Sequence, residues 1–166
     1  MSNLEAKFIK TYDDHSDAIF RHCYFRVYNR DIAKDITQDT FTKTWQYLAD
    51  GGEIENIKAF LYKTATNLII DLSRKKQTIS LETIRETGFE PSYDDSKDIN
   101  NSIEVKRVLK IINKLDTAYK DAVIMRYVED LSPKDIAKVL RESENNVSVR
   151  IHRGIRKLKE LLNENG

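Results

Sequence analysis

Between residues 131 and 162 the apolar positions follow a helical period. Val147, Ile151, Ile155, Leu158 and Leu162 recur at spacings of four, four, three and four. At about 100° per residue they share one face of a helix, and that face packs on a core. Upstream, Ser132 can cap a shorter helix, Pro133 fits its first position, and Asp135 completes an S-x-x-D capping box. That helix ends near Leu140, and Ser143 offers a second cap after only Arg141 and Glu142. So short a connection predicts the sharp crossing of a helix-turn-helix, although this turn contains no glycine.

Roughly opposite the apolar face lie Asn145, Asn146, Val149, His152, Arg153 and Arg156, with Ser148 and Arg150 on the flanks. Asn and Arg make bidentate hydrogen bonds to adenine and guanine edges, and an exposed Val can meet a thymine methyl. The stripe is therefore a candidate surface for duplex DNA. A solvated helix face is the bland alternative, and the caps, the turn and the two stripes together argue against it.

The N-terminal part reads as a run of helices. Leu4, Phe8 and Tyr12 mark a first amphipathic turn or two, and residues 17–28 place Ile19, Cys23 and Val27 on one side before a break at Asn29-Arg30-Asp31. The next helix, about 31–49, carries Ile32 and Ile36 at one end and Phe41, Trp45 and Leu48 at the other. Between them is a polar wedge of Asp35, Gln38, Asp39, Thr42 and Gln46, and Asp50-Gly51-Gly52 stops the helix. After the loop 49–56, a further helix to about Lys75 sets Ile57, Phe60, Leu61, Thr64, Ala65, Leu68 and Leu72 within one face. Its other side shows Lys63, Thr66, Asn67, Ile70, Ser73 and Arg74, flanked by Tyr62, with Ile70 an exception to clean amphipathicity. Spacing makes Phe60 and Trp45 core residues first.

Residues 76–102 break the period, with Gly88, Pro91 and the acidic run 93–98; helices resume over about 103–115 and 118–128. Five Gly and two Pro in 166 residues leave little room for a loop-rich β fold. The pattern predicts an all-α chain of two small helical domains, 1–76 and 103–166, joined by an acidic linker over 77–102, the second domain carrying the helix-turn-helix. The total charge of +1 divides unevenly: residues 1–78 hold 12 basic and 11 acidic side chains, 79–104 hold 2 and 7, and 105–166 hold 14 and 9. A basic C-terminal domain on an acidic strap suits phosphate binding.

The lone Cys23 cannot form an internal disulfide and falls among apolar residues, which predicts a buried thiol in a reducing compartment. No apolar run approaches the ~20 residues of a membrane span, and MSNLEAKFIK has no secretory apolar core. A cytoplasmic protein without direct membrane insertion is expected. His15, His22 and His152 lack partners at metal-ligand spacing, so no metal or cofactor is expected.

The stretch Ala33-x-Asp35-x-x-Gln38-x-x-Phe41, followed by Leu61-Tyr62-x-x-Ala65-x-Asn67-x-x-x-Asp71-x-x-Arg74 and then by the C-terminal helix-turn-helix, resembles the two domains of an extracytoplasmic-function (ECF, group IV) RNA polymerase sigma factor. The resemblance covers nearly the whole chain. It implies that the first domain docks on core RNA polymerase through Asp35, Gln38, Asp39 and Thr42. It also implies contacts to the single-stranded −10 element from Asn56, Tyr62, Lys63, Thr66, Asn67, Arg74 and Lys75, with the 49–56 loop capturing an unstacked base. The second domain would hold the duplex −35 element through Asn145, Asn146, Ser148, Val149, Arg150, His152, Arg153 and Arg156. An anti-sigma factor is the further partner implied. Phe60 stands where the family usually has Trp, Thr66 where Arg is frequent, and Arg74-Lys75 where an Arg pair is usual.

Two other classes place a helix-turn-helix at a C-terminus. A DNA recombinase would need a nucleophilic Ser or Tyr among clustered Arg residues; Arg21, Arg26 and Arg30 have no convincing companion, and no catalytic residue is expected. A stand-alone transcription regulator would bind palindromic duplex by itself, whereas a sigma factor is expected to bind weakly until polymerase is present.

Overall fold

A capping box opens the first helix. Ser2 accepts from the Glu5 amide at 3.1 Å while the Glu5 carboxylate accepts from the Ser2 amide at 3.2 Å. The resulting helix α1, Asn3–Val27, is continuous where the sequence pattern predicts two pieces, and it ends where Tyr28 turns left-handed. Asn29 caps α2, Arg30–Ala49, by accepting from the Ile32 amide. The loop 50–56 leads to α3, Ile57–Thr78, capped by Asn56 through the Ala59 amide at 3.1 Å. The structure is a computed structural model that describes residues 2–78 and 103–164. The expected acidic linker lies outside the described residues, apart from Gln77 and Thr78, which continue α3.

All three N-terminal helices touch one another, forming a bundle around Ile19, Cys23, Ala33, Ile36, Phe41, Leu61 and Ala65. The α2 contribution resolves the two-ended apolar pattern of the sequence. Thr37 and Thr40 fill the gap between Ile36 and Phe41 on the buried face, Thr44 extends that face beyond Phe41, and each hydroxyl donates to the carbonyl four residues back, at 2.7 to 2.8 Å. The methyl groups pack and the hydroxyls stay bonded, so a polar residue type builds core at little desolvation cost. Phe8, Tyr12, Phe41 and Trp45 form an edge-to-face aromatic cluster at the start of α1.

The second unit holds α4, Ile103–Ile112, α5, Thr117–Val123, α6, Pro133–Leu140, and α7, Glu144–Glu164. Residues 118–128 are expected to form one helix; instead α5 widens into a π-helical turn over Ile124–Val128. The wider turn exposes Tyr127 and Val128, while Leu131 returns to the core. Ser132 caps α6 through the Asp135 amide at 3.1 Å, and Ser143 caps α7 through the Asn146 amide at 3.1 Å. The glycine-free turn between them is made by Arg141 in the left-handed region, at φ 57°. Helix α7 packs on α4, α5 and α6, with Ile136, Val139, Val147 and Ile151 buried. Each such side chain stabilises the unit by ~1.5 to 3 kcal/mol relative to exposure.

Candidate nucleic-acid interface

Helix α7 separates its two faces as its period predicts. Val147 and Ile151 are buried, and Asn145, Asn146, Val149, His152, Arg153 and Arg156 are exposed. Arg153 and Arg156 are both exposed, and neither has an ion-pair partner among the described residues. The flank differs. Arg150 is half-buried and bonds the Glu142 carboxylate across the helix-turn-helix at 2.6 Å, and Ser148 is half-buried beside it. Lys157 leans over the Tyr119 ring at 4.9 Å, with Asp116 3.9 Å away.

In the N-terminal bundle, the polar wedge of α2 is exposed throughout: Asp35, Gln38, Asp39 and Thr42 all face away from the core. On α3, Lys63, Arg74 and Lys75 are exposed and Asn67 is half-buried between them. Ile70, 43% exposed, lies among them, and Lys75 and Lys76 sit in the last turn of the helix, where its dipole favours cations.

Two expected members of this stripe are elsewhere. Tyr62 and Thr66 are buried in the bundle, at 2% and 7% exposure. Both meet His22 of α1, itself buried. Its Nε2 shares a hydrogen bond of 3.0 Å with Thr66 Oγ1, and the Tyr62 ring meets its imidazole edge-on, centroids 5.0 Å apart. A buried imidazole needs a polar partner, and Thr66 supplies one, so Tyr62 and Thr66 join Leu61 and Ala65 on the buried face of α3. Asn56 keeps its expected exposed place, but its side-chain oxygen caps α3.

Some contacts at this site leave little mark on the sequence. The Glu142–Arg150 pair joins the turn to α7, which no helical spacing signals. Tyr47, exposed at the end of α2, packs on Phe60 and on the loop 50–56. Its one sequence signal is an aromatic residue just ahead of Asp50-Gly51-Gly52.

A bundle with an outward polar wedge and a basic stripe, in one chain with a helix-turn-helix, defines a class of DNA-engaging transcription proteins. Residues 11–79 match the family model for Sigma-70 region 2, and residues 106–158 match that for Sigma-70, region 4. The sigma factor SigV of Bacillus subtilis is 30% identical over 86% of this chain and 83% of its own length. The ECF sigma factor SigW of the same organism is 26% identical over 92% and 87%. In fold the chain is similar to the sigma factor RpoE solved with the anti-sigma factor NepR from Bartonella quintana, with a TM-score of 0.77 at 22% identity over 95% of this chain and 97% of that one. It is likewise similar to CnrH, solved with the cytosolic domain of CnrY, with a TM-score of 0.71 at 23% identity over 98% and 91%. This chain belongs to the sigma-70 family of RNA polymerase sigma factors, in its extracytoplasmic-function branch.

Proposed function

We propose that the protein is an alternative initiation factor that joins core RNA polymerase, holds the promoter −35 element as duplex and opens the −10 element. The observation that carries this reading is the coexistence, in one chain, of two DNA-suited surfaces with a third that suits a protein. The exposed α2 wedge of Asp35, Gln38, Asp39 and Thr42 offers carboxylates and an amide to a basic polymerase surface. Lys63, Asn67, Arg74 and Lys75, with Asn56 at the head of the helix, form the single-strand surface; Tyr62 and Thr66 belong to its support. Asn145, Asn146, Val149, His152, Arg153 and Arg156 read and grip the duplex, flanked by Ser148, and Arg150 buttresses the turn.

Domain limits of 1–76 and 103–166, with 77–102 as linker, accompany this reading. The protein works where polymerase works, in the cytoplasm, and brings no catalytic residue, metal or cofactor. Its fold neighbours were each solved with a bound protein, RpoE with the anti-sigma factor NepR and CnrH with the cytosolic domain of CnrY. An anti-sigma factor that covers these same surfaces is therefore the proposed regulator. A stand-alone transcription regulator would leave the α2 wedge a solvated face.

Replacing Lys63 and Arg74 with Ala tests the opening surface. Fewer neutralised phosphates lower open-complex formation and flatten its salt dependence, the slope falling by about one for each phosphate left without its cation. Core binding is retained. Permanganate reactivity of −10 thymines equal to that of the unsubstituted protein would remove α3 from the DNA surface.

A further inference from the structure

The loop 50–56 is tied to both α2 and α3. Tyr47 is 44% exposed, yet its ring centroid lies 5.2 Å from that of Phe60, tilted by 36°. Its hydroxyl donates to the Glu53 carbonyl at 3.4 Å, and its own carbonyl accepts from the Gly52 amide at 2.9 Å. Gly52 sits so close that a β-carbon there would fall within 2.6 Å of Tyr47 Cδ1 and Cζ. The two glycines thus answer different needs. Gly51 has open space around it but a φ of 91°, which side chains rarely adopt, and Gly52 has room only for hydrogen. At the far end, Asn56 fastens the loop to α3 by its capping bond.

We propose that Tyr47 is a positioning residue whose ring is the post around which residues 50–56 are wound, giving the loop one fixed shape against an unstacked −10 base. The inference rests on the promoter-opening reading above and adds to it the side chain that sets the loop's shape. Extruding a base costs a few kcal/mol, so the surface that receives it must not also lose loop entropy on binding. Phe60 behind the ring, Gly52 against it and the hydroxyl bond to Glu53 meet that requirement before DNA arrives. The same α3 that Asn56 caps carries Lys63 and Asn67 further along, so backbone contacts and base capture share one rigid element.

The test uses holoenzyme assembled from the full chain and core polymerase, on promoters selected by the unsubstituted protein and randomised across the −10 element. Base preference is read by sequencing the DNA held in open complexes, with core affinity and thermal unfolding followed in parallel. Gly52→Ala is expected to flatten preference at one −10 position at least fivefold, with −35 preference and core affinity within twofold. Tyr47→Ala does the same, and Tyr47→Phe, which keeps the ring, retains most of the preference. In the Tyr47→Ala background, adding Gly52→Ala costs less than a further twofold, because the ring it would strike is gone. Unchanged preference in both single variants overturns the proposal, as do independent, multiplying losses in the double variant. If Gly52→Ala does not fold, Tyr47→Ala and Tyr47→Phe decide by the same readout. An unsubstituted protein that opens no promoter with core polymerase overturns this proposal and the reading beneath it together; normal opening with unaltered variants overturns only the role of Tyr47.

Discussion

Glu142 and Arg150 meet at 2.6 Å, each less than a third exposed, so part of the charge that α7 spacing assigns to the DNA face is already neutralised inside the protein. Glu142→Gln releases it. The plot of log affinity against log salt for holoenzyme on a −35 duplex is expected to steepen by about one, read by anisotropy across a salt series. An unchanged slope would mean that Arg150 reaches phosphate with its carboxylate partner still in place. His15 is a second residue with a measurable signature. Burial pushes its pKa below the ordinary 6.5, Asp14 opposes that shift, and the Lys58 ammonium adds to it. A lowered folded pKa means that the unfolded chain takes up this proton first. Stability from this group is therefore full above 6.5 and falls as pH drops through 6.5 toward the folded value. Urea unfolding at two pH values, one above and one below that ordinary pKa, is expected to show a smaller drop for His15→Gln than for the native chain; equal drops would place the pH dependence on other groups.

At the scale of elements, the packing of α7 against α5 turns on one position. Gly154 is buried, and a β-carbon there would lie 2.6 Å from Val123 Cγ2 and 3.4 Å from Tyr119 Cβ. By helix propensity alone, Gly154→Ala would stabilise α7 by about 1 kcal/mol. The clash opposes this and decides the sign, so a net loss of about 1 to 3 kcal/mol is expected in thermal unfolding. Pairing it with Val123→Ala, which removes the struck methyl, distinguishes the causes: recovery points to the clash, and no recovery points to the backbone. The same scale explains the turn. Arg141 adopts the left-handed conformation that glycine usually fills, held by the hydrogen bond its backbone N–H donates to the Ala137 carbonyl and by the Ser143 cap that follows. Local bonding substitutes for the missing glycine signal.

For the whole molecule, the surfaces proposed to meet polymerase and DNA sit on different elements, so their effects are expected to separate. Replacing Asp35 and Asp39 with Lys reverses charge on an exposed face of α2 without touching Thr37, Thr40 or Thr44 beneath it. Core affinity is expected to fall about tenfold, roughly 1.4 kcal/mol, with helicity and −35 duplex preference unchanged. Gel filtration with core enzyme reads the first, and circular dichroism and duplex selection read the others. Unaltered co-elution at moderate salt would take α2 out of the polymerase contact.

The helical class, the caps at Ser132 and Ser143, the two faces of α7 and the outward wedge of α2 are legible in the order of residues, because each depends on residues three or four apart on one helix. The structure decided what depends on partners far along the chain. His22 lies 44 residues before Thr66, and their hydrogen bond, with Tyr62 against the same imidazole, lies in the bundle core and not on the exposed stripe. Thr37, Thr40 and Thr44, which helical spacing of apolar residues does not single out, are buried with their hydroxyls hydrogen-bonded to carbonyls of their own helix. Gly52 and Gly154 look like ordinary breakers, yet each marks a close approach by a ring or a neighbouring helix. Periodicity encodes which way a side chain points along its own element; what waits there is set by tertiary packing.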